Sequence, residues 1–234
     1  MRYYFDADHY TEFLSGKPAL QPQSYKLDEI ATDHPPVTSI KFRVFKVVFD
    51  YTCALVALPL VALISFVLVL LNPFLNPGPL FYTQERAGRH GKAFKMWKFR
   101  SMVAADTEVR EPGAALEEER ITQLGRFLRL TRTDELPNFF NVLLGQMSVV
   151  GPRPEAASHA AHYEKRVPGY RARLRVKPGI TGLAQVEQGY VESEDAAAVK
   201  AMYDNMYVQR LCGRLDLYVI YKTFGVIVKG IGAR

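Results

Sequence analysis

A chain of 234 residues, 48% of them apolar, suits one domain with a sizeable core and an appendage rather than an array of domains. Two cysteines, Cys53 and Cys212, exclude a disulfide framework and offer no metal-ligand spacing. The net charge of +6 is modest, but no acid interrupts the basic tract Arg86, Arg89, Lys92, Lys95, Lys98 and Arg100, and a second tract runs Lys165, Arg166, Arg171, Arg173, Arg175 and Lys177. Such tracts suit anionic lipid or phosphorylated ligands, and equally a plain solvated face. No DNA- or RNA-binding motif accompanies them, so nucleic acid is set aside as a partner.

Residues 1–40 are polar, lack periodicity and carry Pro18, Pro22, Pro35 and Pro36, which predicts a poorly ordered arm. Residues 53–71 carry no charge and, at about 19 residues, match the apolar core of a bilayer. Too much polar chain precedes this run for a signal peptide, so it predicts a membrane helix within 41–72. Lys41, Arg43 and Lys46 lie before it and the basic tract from Arg86 after it, and both flanks favour the cytoplasmic side. Pro59 removes a backbone donor near the middle of the run. A re-entrant helix, broken at Pro59 and returning to its own side, reconciles these observations, with Asp50 at the lipid interface.

Residues 73–234 then form a compact cytosolic domain, which makes the chain an α-rich α+β protein. Asn72–Pro79 is a turn-rich exit. Leu80–Gln84 and Ala93–Phe99, either side of Gly88-Arg-His-Gly91, predict a β-hairpin with Phe94, Met96 and Lys98 on one face. Residues 103–119 suit a surface loop or frayed helix. Ile121, Leu124, Phe127 and Leu128 mark an amphipathic helix that also bears Arg126, Arg129 and Arg132, suited to a membrane surface or to ordinary packing. Residues 176–186 are punctuated by Gly and Pro and end in a strand-like run. Helices are predicted over Asp195–Leu211 and Leu215–Ile231, the latter packed in the domain or flat at the interface. His159 and His162 form a ligand pair without a third member.

The most informative stretch is Thr133–Glu155. Adjacent carboxylates Asp134 and Glu135, with Pro137, read as the first turn of a helix whose stripe is Leu136, Phe139, Phe140, Leu143 and Leu144 and whose end is Gly145. Beyond it, two prolines stiffen the backbone on either side of Arg153. An acidic pair there with a rigid arginine downstream suits a metal-assisted phosphate site, and Asp134 alone suits a plain helix cap.

Six ordered segments, Lys46–Asp50 (KVVFD), Gln84–Gly88 (QERAG), Lys98–Met102 (KFRSM), Asp134–Pro137 (DELP), Gly151–Pro154 (GPRP) and Lys177–Gly182 (KPGITG), resemble the bacterial sugar transferases, the monotopic phosphoglycosyl transferases. The resemblance covers residue 45 to about residue 230. It implies transfer of a sugar-1-phosphate from a UDP-sugar to undecaprenyl phosphate with release of UMP, at the cytoplasmic face of the bacterial inner membrane. It implies Asp134 as nucleophile of a covalent phosphosugar intermediate, Glu135 as ligand of Mg²⁺, and Arg153 as a phosphate contact. Lys98, Arg100 and Arg129 are further candidates for phosphate charge by motif position and basicity. Leu58, Leu183 and Gln188-Gly189 depart from the family's usual residues. A non-catalytic membrane scaffold and a lipid-directed glycosyltransferase releasing UDP are the alternatives.

Overall fold

The computed structural model describes residues 38–103, 117–188 and 194–228. The N-terminal arm and most of the acidic stretch after Val103 lie outside them. Helix α1 spans Ile40–Leu75 and starts at Ser39, whose hydroxyl accepts from the Phe42 N–H at 3.2 Å. Among the described residues it is the one helix long and apolar enough to cross a membrane. It extends past the expected end at residue 72 and continues through both Pro59 and Pro73. Proline removes one donor and bends a helix without having to end it, so Pro59 does not divide α1 into separate elements.

One stripe of α1 is buried: Asp50, Ala54, Val61, Leu68 and Asn72, at intervals of four and seven. Most of the remaining surface is exposed and apolar, including Val56, Leu63, Phe66, Leu70 and Phe74. The helix is fastened to the domain near both ends. Asp50 Oδ1 accepts from Ser148 Oγ and the Val149 N–H, both at 3.0 Å, while Asn76 just past the C-terminus donates to the Arg100 carbonyl at 2.8 Å. Asp50 is therefore buried against protein.

The expected hairpin forms from β1 (Phe81–Ala87) and β2 (Ala93–Phe99), paired in register from Phe81 opposite Phe99 to Ala87 opposite Ala93. His90 and Gly91 at its tip take left-handed backbone angles. On β2 the two-residue period turns Phe94 and Met96 into a core with Ala54, Val142 and Met147, and brings Lys98 to the end of the same face. Phe99, on the opposite face, packs with Val61, Leu68 and Leu128. A second, parallel pair, β3 (Ser148–Val150) with β4 (Gly179–Thr181), was not expected. The run at 183–186 that reads as a strand is instead helix α5 (Leu183–Glu187), because the pairing with β3 is already complete at Thr181.

Helix α2 (Gln123–Leu130) is capped by Thr122, whose hydroxyl accepts from the Gly125 N–H at 2.9 Å. Arg132 then takes a left-handed conformation and redirects the chain into a 3₁₀ turn, Thr133–Glu135. Helix α3 (Asn138–Leu143) begins only after Pro137, and Gly145 ends it at φ +71°. The acidic pair therefore precedes the helix instead of forming its first turn. Pro137 has no N–H to bond back to the Thr133 carbonyl, so the 3₁₀ turn does not run on as an α-helix and the helical ladder begins after it.

Helix α4 (Ala157–Arg166) and a 3₁₀ segment, Tyr170–Arg175, lead to β4. Helix α6 (Glu194–Gln209) is the centre of the domain, with Ala201–Val208 buried without interruption. Helix α7 (Gly213–Val228) packs one side into the domain, as one of the two expected readings has it. Leu215 and Val219 pack inward, while Leu217, Tyr221, Phe224 and Ile227 form an exposed apolar face.

Candidate active site

The dyad lies where β2, α2 and the loop after β3 meet. Glu135 is buried, and its two oxygens face Arg153 in a bidentate pair: Nη1 donates to Oε2 at 3.2 Å and Nη2 donates to Oε1. Lys98 Nζ donates to the same Oε1 at 3.3 Å. Burial alone would raise the Glu135 pKa, but Arg153 first and Lys98 second outweigh it and hold this carboxylate well below its usual range. Asp134 goes the other way. Burial raises its pKa, and the Glu135 charge adds to the rise, while Lys98, Arg129 and Arg153 oppose it without cancelling it. Its Oδ1 is buried and has no hydrogen-bond partner among the described residues. It does not cap α3, so the plain-cap reading is overturned.

Three of the four expected phosphate-site cations converge here. Lys98 and Arg153 touch Glu135, and Arg129 is near enough to act on the Asp134 charge while its Nη1 lies 3.6 Å from Met102 Sδ. Arg100 does not join them. Its guanidinium holds the chain leaving α1, with Nε donating to the Pro79 carbonyl at 2.9 Å and Nη2 to the Asn76 carbonyl. Past the end of β2 the strand alternation no longer applies, so the two-residue offset from Lys98 does not carry Arg100 to the dyad.

The residues fit a Mg²⁺ ion in part. The open, buried Asp134 Oδ1 is the kind of oxygen Mg²⁺ takes, and this ion commonly uses one or two carboxylates completed by substrate phosphates. Both Glu135 oxygens are engaged by Arg153 and Lys98, so Glu135 would hold the ion only by giving up one of these contacts. No cluster of three metal-ligating side chains occurs among the described residues, and His159 and His162 belong to none.

Several residues that shape the site carry no individual signal in the sequence. Asn141, fully buried on α3, covers the open edge of β2: Oδ1 accepts from the Trp97 N–H at 3.0 Å and Nδ2 donates to the Lys95 carbonyl at 2.7 Å. Arg173, which sits in a basic tract, is buried and paired with Asp204 at 2.7 Å. It also donates to the Arg153 carbonyl at 2.7 Å and so supports the Pro-Arg-Pro loop from behind. Glu155 ends that loop and accepts from Lys200 at 2.8 Å. Of the departures from the family pattern, Leu183 is core and Gln188 donates to the Ala196 carbonyl at 2.9 Å.

A neutralised carboxylate thus stands beside an open one, faced by guanidinium and ammonium groups, on a domain fastened to an apolar helix. The chain belongs to the bacterial sugar transferase family, whose model matches residues 41–230. It is 42% identical over 171 residues to a UDP-glucose:undecaprenyl-phosphate glucose-1-phosphate transferase of Klebsiella pneumoniae, an alignment covering 68% of this chain and 37% of that protein. A protein of the same description from Caulobacter vibrioides is 34% identical over 190 residues, covering 80% and 71% of the two chains. The exopolysaccharide production protein PSS of Rhizobium leguminosarum is 38% identical over 186 residues, covering 77% and 93%. The chain thus spans well under half of the Klebsiella relative and nearly all of the Rhizobium one.

Proposed function

We propose that this protein transfers a sugar-1-phosphate from a UDP-sugar to undecaprenyl phosphate, releasing UMP and forming undecaprenyl-diphospho-sugar, as a first membrane step of exopolysaccharide or related glycan synthesis. The observation that carries the reading is the division of the dyad: Glu135 is neutralised by Arg153 and Lys98, and Asp134 keeps an open buried oxygen. In the first displacement an Asp134 carboxylate oxygen bonds to the sugar-bearing phosphorus. The bond from that phosphorus to the bridging oxygen breaks, and UMP leaves with the electron pair. In the second, an oxygen of the lipid phosphate bonds to the same phosphorus, and the acyl-phosphate bond breaks to restore the Asp134 carboxylate.

Lys98, Arg129 and Arg153 offset the negative charge that a carboxylate meets on approaching a diphosphate. Mg²⁺, when bound, supplies further positive charge at the donor's phosphate oxygens. Attachment of α1 to one domain at Asp50 and again at Asn76, on either side of its most apolar stretch, supports the re-entrant reading with Pro59 as the bend. The basic residues on both flanks favour the cytoplasmic face of the inner membrane. The buried stripe of α1 then faces protein and its exposed stripe faces lipid, which keeps the dyad near the acceptor's headgroup.

The test is UMP release from membranes given a panel of UDP-sugars, with UDP-glucose first because relatives carry that name, plus Mg²⁺ and undecaprenyl phosphate. Wild type should release UMP, and Asp134→Asn should lose at least about 100-fold of that rate while still sedimenting with membranes. Release of UDP would instead indicate transfer of sugar alone. No turnover with any donor, together with unchanged complementation by Asp134→Asn, would indicate a scaffold.

A further inference from the structure

A cavity of about 770 Å³ opens between the first turns of α1, the hairpin tip and the chain from the Tyr170–Arg175 segment to Lys177. It is large enough for a nucleotide or a lipid headgroup. Six cationic side chains line it: Arg43, Lys46, Arg89, Arg171, Arg175 and Lys177. Only two carboxylates, Asp50 and Glu164, share the lining, so its cations outnumber its acids by six to two. Asp50 accepts from Ser148 and Val149, and Glu164 pairs with Arg171 at 3.3 Å. Lys46 pairs with Asp216 at 2.8 Å and lies 4.0 Å from Asp50 Oδ1, so the excess positive charge rests on the arginines and Lys177. Arg43 and Arg89 make hydrogen bonds to neutral oxygens, Arg43 Nε to Thr38 Oγ1 at 3.0 Å and Arg89 Nε to the Arg175 carbonyl at 3.1 Å. Those bonds orient the guanidinium groups and leave their charge in place.

Like charges gathered around a concavity with apolar walls repel one another and concentrate a positive potential, which an anion relieves. Oriented guanidinium groups select phosphate oxygens over a simple halide, because they donate in pairs. The cavity is separate from the dyad, since none of Asp134, Glu135, Lys98, Arg129 or Arg153 lines it. It begins on the same turns of α1 that expose Val44, Phe45, Val47 and Val48. We infer that this cavity is a second phosphate-binding site, which holds the phosphate of an anionic lipid headgroup or of a soluble nucleotide without reacting with it. The binding site itself does not depend on the proposed transferase reaction.

The experiment uses the full chain in nanodiscs. Retention of phosphatidylglycerol against phosphatidylcholine is measured by native mass spectrometry, and binding of inorganic pyrophosphate and UMP is measured by calorimetry at two salt concentrations. Three variants are compared with wild type: Arg89→Gln/Lys177→Gln in the cavity, the single Arg43→Gln as a milder cavity change, and Lys98→Met at the dyad. Melting curves verify that each is folded. The expected result is salt-sensitive binding of at least one probe that falls at least tenfold in a folded cavity variant and persists in Lys98→Met. Loss confined to phosphatidylglycerol assigns the lipid source, and loss confined to pyrophosphate or UMP assigns the soluble one. The inference is overturned if no probe binds wild type, if the folded cavity variants bind as wild type does, or if Lys98→Met removes all the binding. An inactive Asp134→Asn that still shows the cavity-dependent binding would separate this site from the transferase reading.

Discussion

Replacing Glu155 by glutamine tests whether the loop bearing Arg153 is held in place by charge. Glu155 accepts from Lys200 at 2.8 Å, lies 3.8 Å from Arg173 and has only 16% of its side chain exposed. Burial alone would raise its pKa, but Lys200 and Arg173 outweigh it and bring the group from 4.5 down to about 2. A carboxylate whose folded pKa lies below its unfolded one contributes stability that is present above the unfolded value. That contribution is lost as pH falls through the folded value. At ~1.4 kcal/mol per pH unit, the shift amounts to about 3 kcal/mol at neutral pH.

Glutamine keeps the shape of the side chain and imitates the protonated acid. Glu155→Gln should therefore cost about 3 kcal/mol, constant from about pH 8 to pH 5. The deficit should shrink below 4.5 and approach zero near about 2. The single tryptophan, Trp97 on β2, gives the fluorescence signal for urea unfolding in mild detergent across that range. A deficit that stays constant down to about pH 3, or one below about 1 kcal/mol at neutral pH, refutes the reasoning.

Gly125→Ala should destabilise by about 1–3 kcal/mol or more, because the new Cβ would stand 1.9 Å from the Ser101 carbonyl oxygen and must push α2 away. Arg129 moves with α2, so UMP release should fall together with the melting temperature. Arg100→Met should cost about 1–3 kcal/mol by leaving the Asn76 and Pro79 carbonyls without their charged donor, with the KM for UDP-sugar unchanged. A rise in KM without loss of stability would return Arg100 to the phosphate site.

What the sequence made legible was periodic. The hairpin, α2, α6 and α7 each announce themselves by spacing, and β2 shows how far such a signal goes. Alternation places Phe94, Met96 and Lys98 on one face, and the structure sends the first two to the core and the third to the dyad. Motif position and basicity do not carry the same information two residues later at Arg100, where the strand has ended and a tertiary hydrogen bond decides the side chain's direction. Pairings over long separations left no local trace. Asn141 against the edge of β2 and Asp50 against β3 are short polar side chains whose partners lie 44 and 98 residues away. Arg173 shows the opposite limit, since its position in a basic tract pointed to the surface and its pairing with Asp204 took it inside. Composition cannot distinguish a charge that faces water from one that meets a buried partner.

The division of labour between Asp134 and Glu135 follows from the turn that holds them. Consecutive residues of a 3₁₀ turn project about 120° apart, so neighbours in sequence need not share an environment. Glu135 therefore meets Arg153 and Lys98, while Asp134 has burial and an adjacent negative charge. A buried carboxylate with a raised pKa is a poor nucleophile. Since the donor is itself anionic, the positive charge that would ionise Asp134 is that of the Mg²⁺ that would accompany the donor, which would tie its ionisation to occupancy of the site. The dependence of kcat/KM for the UDP-sugar on pH reports groups of the free enzyme, and that of kcat reports the loaded one. The acid limb of kcat/KM should accordingly lie above the ordinary aspartate value of 3.8, and the acid limb of kcat should lie below that of kcat/KM. Asp134→Glu should keep some activity if the carboxylate reacts directly, whereas Asp134→Asn should keep none. Identical acid limbs in the two profiles would mean that donor binding does not change the charge Asp134 experiences. The open Oδ1 would then have to be explained by something other than a waiting nucleophile.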